Sequence, residues 1–374
     1  MAGSTTGALS RLPEEWEALL REWGEPTYRA KQVFKWIQVR NVLSPQEMTN
    51  LPKSLRARLE ADGLGSPLEV TARHRSEDGT QKLLLSMHDG RAVEAVLIPQ
   101  GSSGAEDPIG GEEPEPGTRP VTMCISTQVG CAMGCVFCAS GMAGLKRHLS
   151  ADEILGQVLL GRQLVDEGDR LRNIVFMGMG EPLHNYEAVA KSLKLLFHSD
   201  GLNFGTRRVT VSTSGLIPEI ERLAEDFGGK VQLAISLHVP DDERRTALMP
   251  INRRYPLHEL MKTLRKYPLP KRRRITIEYT LVKGYNDTLA DAEALGELLS
   301  GMRAKVNLIP MNPVPDNPLG PPSWDVVEAF HDRMWKLGVS TFIRRRKGDD
   351  IAAACGQLAL EGAEKTIRVA LPVV

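Results

Sequence analysis

The chain has 374 residues and a formal net charge of zero, and 41% of its residues are hydrophobic. This composition predicts a globular protein with one large domain and a small accessory domain, and it excludes a disordered chain. No apolar run approaches the roughly 20 residues that a membrane-spanning helix needs, and the first residues lack a signal-peptide pattern. We therefore expect a cytoplasmic protein without a membrane contact. A chain without net charge would bind RNA only through local basic patches.

The cysteine content indicates a reducing compartment. The chain has five cysteines, which is an odd and small number for this length. Proteins that depend on disulfides carry cysteines in even and larger numbers, so we expect no structural disulfide framework.

Residues 1–68 predict a small helical domain. Apolar residues recur at helical spacing in 13–23, in 28–37 and in 52–62. Basic residues surround the apolar face of the second segment, which consists of Val33, Phe34, Trp36 and Ile37. Basic helices with interleaved aromatic residues could dock a folded RNA, but an ordinary solvated face over a small core explains the same pattern. The residues alone leave both interpretations open.

The next stretch, 69–119, is predicted to be a β-hairpin linker followed by a flexible loop. The apolar pattern has a period near two on both sides of Asp89-Gly90, a dipeptide typical of hairpin turns. Residues 100–119 are rich in glycine, proline and acidic residues and contain few apolar ones, which predicts the flexible loop. The hairpin would join the helical domain to the rest of the chain.

Strands and helices alternate in the last predicted domain, 120–374. Strands are predicted at 121–127, 173–178, 207–213, 230–236, 274–282 and 304–310, and helices begin near Ser150, Tyr186, Pro218, Pro256 and Asp287. This alternation predicts a parallel sheet with crossover helices, and hence an α/β fold. Six such units predict a partial, open (βα)6 barrel rather than a closed barrel. A last helix at 323–337 and a strand at 339–344 would follow.

Three cysteines follow the first strand of that domain in a C-x-x-x-C-x-x-C pattern: Cys131, Cys135 and Cys138. A cubane iron–sulfur cluster usually takes four thiolates, so three would leave one iron open for chemistry. Cys124 lies seven residues before the first of them and could complete a four-cysteine zinc site instead. Structural zinc sites usually combine two C-x2–4-C pairs, which this spacing does not provide. The cluster is therefore the favoured interpretation.

Further candidate residues follow the other predicted strands, where functional groups gather in parallel α/β folds. They are Gly180, Glu181, Ser212, Ser236, Leu237, His238 and Asn312. The glycines beside Glu181 let the backbone approach a ligand closely, and the carboxylate could pair with an ammonium group. Each residue is weak evidence alone, but their common position at one rim predicts a ligand site.

Cys355 is the other unusual thiol. It lies among small residues in the segment 348–357, which is suited to a loop that moves. A lone cysteine of this kind is often just a small buried apolar residue. Because Cys124 and Cys355 have no role in the cluster, they could instead form a transient disulfide where their geometry allows.

The cysteine spacing, with Phe137 before Cys138, resembles the motif of the radical S-adenosylmethionine (SAM) superfamily. Other segments resemble the RlmN/Cfr family of RNA methyltransferases within it. They lie, in order, at 94–99, 125–138, 177–183, 208–215, 234–238, 309–313 and 348–357. The resemblance extends from about residue 26 to about residue 360. It is specific because so many segments occur together.

The resemblance implies one [4Fe–4S] cluster on the three clustered cysteines and two molecules of SAM per turnover. One SAM is expected to methylate Cys355. The other, cleaved at the open iron, gives a radical that removes a hydrogen from this methyl group, and the resulting methylene radical adds to the target base. Glu94 is implied as the acceptor of the ring proton, and Cys124 as the thiol that attacks Cys355 and leaves a disulfide. The seven residues at the strand ends are implied to line the SAM site.

The implied activity is methylation of C2 of an adenine in 23S rRNA and in tRNA, there at adenine 37 beside the anticodon. Methylation of C8, as in Cfr, is the nearest alternative, and a zinc-stabilised RNA-binding protein without catalysis is another. The implied partners are the two RNAs and an electron donor such as flavodoxin, and we expect a monomer. Basic clusters at 271–274 and 344–347 are candidates for phosphate contacts at the catalytic rim.

Overall fold

The computed structural model describes residues 7–100, 118–315 and 317–358 of the chain. Within these ranges the helices are α1 (Pro13–Glu22), α2 (Tyr28–Gln38), α3 (Lys53–Ala61), α4 (Ala139–Met142), α5 (Ala151–Leu164), α6 (Tyr186–Phe197), α7 (Ile217–Phe227), α8 (Asp242–Leu248), α9 (Leu257–Lys266), α10 (Leu289–Leu298) and α11 (Trp324–Lys336). The strands are β1 (Leu68–Arg75), β2 (Gln81–Met87), β3 (Ala92–Pro99), β4 (Arg119–Cys124), β5 (Gln128–Val129), β6 (Arg147–His148), β7 (Asp169–Phe176), β8 (Val209–Thr213), β9 (Gln232–Ser236), β10 (Ile275–Leu281), β11 (Ala304–Pro310) and β12 (Thr341–Ile343).

The first three helices form the predicted helical unit. On α2 the side chains of Val33, Phe34 and Ile37 are almost fully buried, and on α1 those of Trp16 and Leu20 are fully buried. All of them belong to one apolar cluster. Short helices are marginal alone, so burial of these apolar faces against each other is what stabilises them.

Ten strands form one open sheet in the order β1-β2-β3-β4-β7-β8-β9-β10-β11-β12, and β5 pairs with β6. Strands β4 and β7 to β12 are parallel, and crossover helices connect them. All six strands predicted after residue 120 are present, as are the five predicted crossover helices. The α/β class is therefore confirmed. The first and last strands of the sheet are not paired with each other, which is consistent with a partial, open barrel. Strand β12 is a short strand at the edge of the sheet.

The stretch predicted as a hairpin linker is a three-stranded antiparallel extension of the same sheet. The predicted turn is present, since β2 and β3 are antiparallel partners on either side of Gly90, which has a φ of 77°. However, β1 pairs with β2, and β3 continues the sheet by pairing with β4, with Val96 opposite Cys124. The period-two pattern thus marks strands of the main sheet. Of the predicted flexible loop, residues 101–117 lie outside the described residues.

The two faces of the parallel strands differ in polarity. On one face the fully buried Tyr279 of β10 contacts Phe330 of α11, with ring centroids 5.2 Å apart. On the other face Ser236, Glu278 and Asn307 are paired in register across β9, β10 and β11. Because side chains alternate along each strand, the apolar face supports the helices and the polar face is available to line a site.

In the part of the chain that the structure describes, no helix combines the length and the apolar character that crossing a membrane requires.

Candidate active site

A cavity opens at the carboxyl ends of the parallel strands, with about 930 Å³ of empty space that is partly open to solvent. Among the residues that line it are ten that were singled out from the sequence: Cys131, Cys135, Cys138, Gly180, Glu181, Ser212, Ser236, His238, Asn312 and Cys355. The remaining three predicted site residues, Cys124, Glu94 and Leu237, do not line this cavity.

The three clustered cysteines lie in the loop between β5 and α4. Cys131 and Cys135 are buried, and Cys138 is half-buried. Burial raises the pKa of Cys131 to about 12, and it also raises the pKa values of Cys135 and Cys138. Such thiols become thiolate ligands only when a metal supplies positive charge. Three sulfur donors at one cavity wall, two of them buried and one half-buried, fit an iron–sulfur cluster, which prefers thiolate ligands.

Cys124 does not belong to this group. It is buried at the end of β4 and lines a smaller adjoining pocket together with Arg344 and Cys355. Among the described residues no group of three or more Cys, His, Asp or Glu side chains could hold a single metal ion. The placement of Cys124 towards Cys355 therefore gives no support to a four-cysteine zinc site.

Glu181 follows β7, and its carboxylate is fixed at the cavity wall. Oε1 accepts a hydrogen bond from the backbone N–H of Leu183 at 3.1 Å, and Oε2 accepts one from that of Ser214 at 2.8 Å. Burial raises the pKa of Glu181, and these backbone donors oppose the rise. Gly180 has a φ of 101°, and a Cβ there would lie 2.5 Å from Cβ of Gln128. Only glycine therefore permits this close approach beside the carboxylate.

The residues at the end of β9 divide between cavity and core. Ser236 is half-buried and lines the cavity, as does Ser212 at the end of β8. The side chain of Leu237 is fully buried and does not line the cavity, and its backbone N–H donates to the carbonyl of Glu278 at 3.1 Å. Leu237 would therefore have to contact a ligand through its backbone.

His238 lines the cavity as a neutral hydrogen-bond donor. Its Nδ1 accepts a hydrogen bond from the backbone N–H of Thr280 at 2.9 Å, which places the ring proton on Nε2. Burial, and to a smaller extent Arg245, lowers the pKa of His238 to about 3. The ring also packs edge-on against Phe137 of the cysteine loop, with centroids 4.8 Å apart. The imidazole thus connects the cysteine loop to β10.

Arg245 of α8 is a residue of this site that the sequence did not reveal. Its side chain is fully buried and donates to the carbonyls of Leu237 at 3.1 Å, Ser214 at 2.9 Å and Ser236 at 3.1 Å. Burial lowers the pKa of Arg245 to about 10. One guanidinium therefore fixes the chain after two neighbouring strands. No sequence pattern distinguished Arg245 from its neighbours, because it lies in a charged segment that is typical of a solvent-exposed helix.

Cys355 lies on a loop whose backbone carbonyl groups accept hydrogen bonds from residues at or beside the cavity. Its carbonyl accepts a hydrogen bond from Nδ2 of Asn312 at 2.9 Å, and the carbonyl of Gly356 accepts one from the backbone N–H of Ala139 at 2.9 Å. Burial, and then the charge of Cys355, raises the pKa of Cys124 to about 12. The two thiols are neighbours, since both line the same small pocket. Arg344 lines both pockets, and the charge of Cys355 is the main cause of its raised pKa.

Glu94 lies on β3, buried outside the main cavity. Its Oε1 is 3.2 Å from Nζ of Lys82, and its carbonyl accepts a hydrogen bond from Oγ of Ser126 at 2.6 Å. Glu94 is two residues from Val96, which is paired with Cys124, so Glu94 and Cys124 share one face of the sheet. The carboxylate is thus on the side of the sheet that the two thiols occupy.

The two basic clusters lie at opposite ends of the sheet. Residues 344–347 follow β12 and line the pocket that contains Cys124 and Cys355. Residues 271–274 precede β10, and they therefore lie at the amino ends of the parallel strands, opposite the cavity. The prediction that both clusters lie at the catalytic rim is wrong for 271–274, because in a parallel sheet only the residues that follow a strand reach that rim.

Comparison with known proteins gives the family. Residues 11–62 match a family described as the ribosomal RNA large subunit methyltransferase N-terminal domain, and residues 125–296 match the radical SAM superfamily. A protein of Sorangium cellulosum (strain So ce56) named "Dual-specificity RNA methyltransferase RlmN" is 58% identical over 380 residues, which cover 97% of this chain and 98% of that protein. The chain belongs to the RlmN family.

Other RlmN proteins cover the chain in the same way. A protein of the same name from Anaeromyxobacter dehalogenans (strain 2CP-C) is 45% identical over 96% of this chain and 93% of its own length. A crystal structure described as a radical SAM methyltransferase from Sphaerobacter thermophilus has a TM-score of 0.86 and 42% identity, and the match covers 96% of this chain and 100% of that one. The RlmN fold therefore includes both the helical unit and the sheet.

As a radical SAM enzyme of the RlmN family, the chain uses a [4Fe–4S] cluster and SAM as its cofactors. The observed site fits both. The three sulfur donors at the cavity suit the cluster, and the fixed carboxylate of Glu181 at the same cavity suits the ammonium group of SAM. The resemblance seen in the sequence is thus confirmed at the level of family and cofactors.

Proposed function

We propose that this chain methylates C2 of an adenine in 23S rRNA and in tRNA, in tRNA at adenine 37. The observation that carries the proposal is the placement of Cys124 and Cys355 as neighbouring thiols beside the cavity that the clustered cysteines line. The names of the relatives, which describe dual-specificity RNA methyltransferases, support RNA as the substrate class.

In this proposal the cavity residues hold the cofactors. Cys131, Cys135 and Cys138 bind the cluster. The residues that bind SAM are Gly180, Glu181, Ser212, Ser236, Leu237 (through its backbone), His238 and Asn312. Two SAM molecules per turnover supply the methyl group and the radical that activates it. The protein orients them by the fixed carboxylate of Glu181 and the neutral donor at Nε2 of His238.

Cys355 is proposed to carry the methyl carbon on its sulfur. After losing one hydrogen atom to the SAM-derived radical, that carbon would bond to C2 of the adenine, and Glu94 would take the C2 proton while one electron leaves to the cluster. The carbon–sulfur bond would break as the thiolate sulfur of Cys124 bonds to the sulfur of Cys355, and the released carbon would take up a proton to complete the methyl group. The position of Cys355 supports this role, because it lies on a loop at the boundary of the two pockets. The position of Glu94 on the face of Cys124 supports its role as the proton acceptor.

The alternatives are weighed by the same observations. Methylation of C8 would use the same two thiols, but the relatives are named RlmN, which favours C2. A zinc-stabilised RNA-binding protein is disfavoured because the chain belongs to a radical SAM family and Cys124 lies apart from the clustered cysteines. We further propose an electron donor such as flavodoxin, a monomeric state and a cytoplasmic location.

Peptide mass spectrometry across Cys355 tests the central step. Enzyme produced with its cluster and SAM should carry one added methyl group on the peptide that contains Cys355. The matched Cys124→Ala variant should carry the same group, because Cys124 acts only after the base is attached. Absence of this modification from the wild-type enzyme, when SAM and a reductant are present, would overturn the proposal.

Nucleoside mass spectrometry of the RNA product separates the two methylation sites. RNA transcripts of 23S rRNA and of tRNA, treated with the reconstituted enzyme, should yield 2-methyladenosine. Detection of 8-methyladenosine alone would replace the proposed activity with the C8 alternative.

A further inference from the structure

Glu278 of β10 is a buried carboxylate that no step of the proposed function uses. It is 4% exposed, and it lines the cavity. Its Oε1 accepts a hydrogen bond from Nδ2 of Asn307 at 3.1 Å. For its Oε2, the described residues provide no hydrogen-bond partner. Leaving a buried carboxylate oxygen without a donor is costly, so a donor from a bound ligand is expected to complete the pair.

The register of the sheet places this oxygen beside a predicted SAM-binding residue. Glu278 is paired with Ser236 on the neighbouring parallel strand, and both side chains line the cavity. Adjacent strands are about 4.8 Å apart, so one small ligand group can contact both side chains. Burial raises the pKa of Glu278, whereas Arg344, Asn307 and Lys305 lower it.

The possible donors are the polar groups of SAM and of the target base. The ammonium group of SAM is assigned to Glu181, which follows β7, three strands away from β10. The target base has to meet the two thiols Cys124 and Cys355, whereas Glu278 is paired in register with Ser236, a proposed SAM-binding residue. SAM has two further kinds of donor, the two hydroxyl groups of its ribose and the amino group of its adenine, and the deoxy analogues used below distinguish the first from the second.

We infer that Oε2 of Glu278 accepts a hydrogen bond from a ribose hydroxyl group of bound SAM, with Asn307 holding the carboxylate in position. The inference rests on the proposed function, because it takes the cavity to be the SAM site. Glu278 is then a further cofactor-binding residue, and no sequence motif singled it out.

Isothermal titration calorimetry with S-adenosylhomocysteine tests the inference on the anaerobically reconstituted enzyme. This ligand keeps the ribose but undergoes no reaction, so the readout is an affinity rather than an activity. Wild type, Glu278→Ala and Glu278→Gln are each titrated with S-adenosylhomocysteine and with its 2′-deoxy and 3′-deoxy analogues. The matched control is Glu259→Gln, the same chemical change on the exposed face of α9. Circular dichroism and thermal melting establish that each variant is folded.

Loss of a hydrogen bond to a carboxylate corresponds to about a tenfold or larger loss of affinity. We expect this loss for Glu278→Ala, a smaller one for Glu278→Gln because an amide oxygen still accepts, and none for Glu259→Gln. One deoxy analogue should bind wild type about tenfold more weakly than S-adenosylhomocysteine does. Glu278→Ala should not distinguish these two ligands.

Two results would overturn the inference. The first is an affinity for S-adenosylhomocysteine that is unchanged in Glu278→Ala. The second is a loss of affinity on removal of a ribose hydroxyl group that is equal in wild type and in Glu278→Ala. An unchanged affinity combined with altered methylation of RNA would assign Glu278 to the target base instead. Failure of the wild-type enzyme to bind S-adenosylhomocysteine at all would overturn the proposed function itself, and the two failures are therefore distinguishable.

Discussion

The backbone N–H of Gly348 donates a hydrogen bond to Oδ2 of Asp78 at 3.1 Å and thereby attaches the segment before Cys355 to the turn between β1 and β2. In the same turn, Oγ of Ser76 donates to Oδ1 of Asp350, and the backbone N–H of residue 77 donates to Oδ2 of Asp350 at 3.3 Å. The antiparallel extension of the sheet thus anchors the base of the loop that carries Cys355.

This attachment predicts a selective effect of Asp78→Ala. Asp78 also accepts a hydrogen bond from the backbone N–H of Thr80 at 2.8 Å, and each bond of this kind contributes about 0.5–1.5 kcal/mol, so the loss of both should slow methyl transfer to RNA by about tenfold. The affinity for S-adenosylhomocysteine should stay unchanged, because the turn does not line the cavity. Single-turnover kinetics and calorimetry measure the two quantities. Glu77→Ala is the control in the same turn, since it keeps the backbone donor, and equal slowing in both variants would contradict the attachment.

Arg245→Leu should be strongly destabilising. The change removes the donors that three buried carbonyl oxygens share, and leaving such groups unpaired costs about 3 kcal/mol or more in total. We expect a clearly lower denaturation midpoint in urea and a weaker affinity for S-adenosylhomocysteine, because Ser236 loses its fixed position. Arg253→Leu, an exposed arginine on the following turn, is the control. A midpoint for Arg245→Leu equal to that of the control would contradict this role.

The low pKa of His238 predicts how stability depends on pH. Because the fold holds the pKa near 3, below the usual 6.5, the neutral ring contributes stability that is fully present above pH 6.5. This contribution is lost progressively as the pH falls from 6.5 towards 3. Between pH 7.5 and pH 5, His238→Gln should therefore lose less stability in urea denaturation than wild type does. His258→Gln, at an exposed position, should follow wild type, and parallel curves for all three proteins would refute the assignment.

Gly180→Ala tests the close approach beside Glu181. The added methyl group would lie 2.5 Å from Cβ of Gln128, so either the Glu181 segment or Gln128 has to shift. We expect at least a tenfold loss of affinity for S-adenosylhomocysteine, equivalent to about 1.4 kcal/mol. Gly168→Ala is the matched control, because Gly168 also has a positive φ, of 80°, but no atom lies within 4 Å of the added Cβ. An affinity for Gly180→Ala as high as that of Gly168→Ala would contradict the role of the close approach.

Much of the fold followed from local patterns. The alternation of strands and helices after residue 120 predicted every crossover unit, because period and capping signals such as Ser150 with Glu153 are local. The pairing of β3 with β4 was not predicted, since Val96 and Cys124 are far apart in the sequence and the residues at 100–119 between them are rich in glycine, proline and acidic residues. Pairing between distant strands depends on the whole sheet, which local patterns do not encode.

The sequence also predicted part of the site from local patterns. Cysteine spacing and strand-end motifs located the cavity, but Arg245 and Glu278 were missed. Arg245 lies among other charged residues, and only the structure places it in the core. Glu278 had a weak signal, because a carboxylate inside the apolar strand Ile275–Leu281 already indicates that this strand has a polar face. The position of the basic cluster 271–274 was predicted wrongly because the prediction used its charge alone. It did not consider that these residues precede a parallel strand rather than follow it.

The antiparallel ladder between β3 and β4 has one further consequence. It sets the separation of Glu94 and Cys124 by backbone hydrogen bonds, independently of the chain that connects the two strands. That connection is therefore free to vary in length among relatives without displacing the proposed proton acceptor from the proposed resolving thiol. Insertions or deletions between residues 100 and 118 should accordingly leave the separation of Glu94 and Cys124 unchanged.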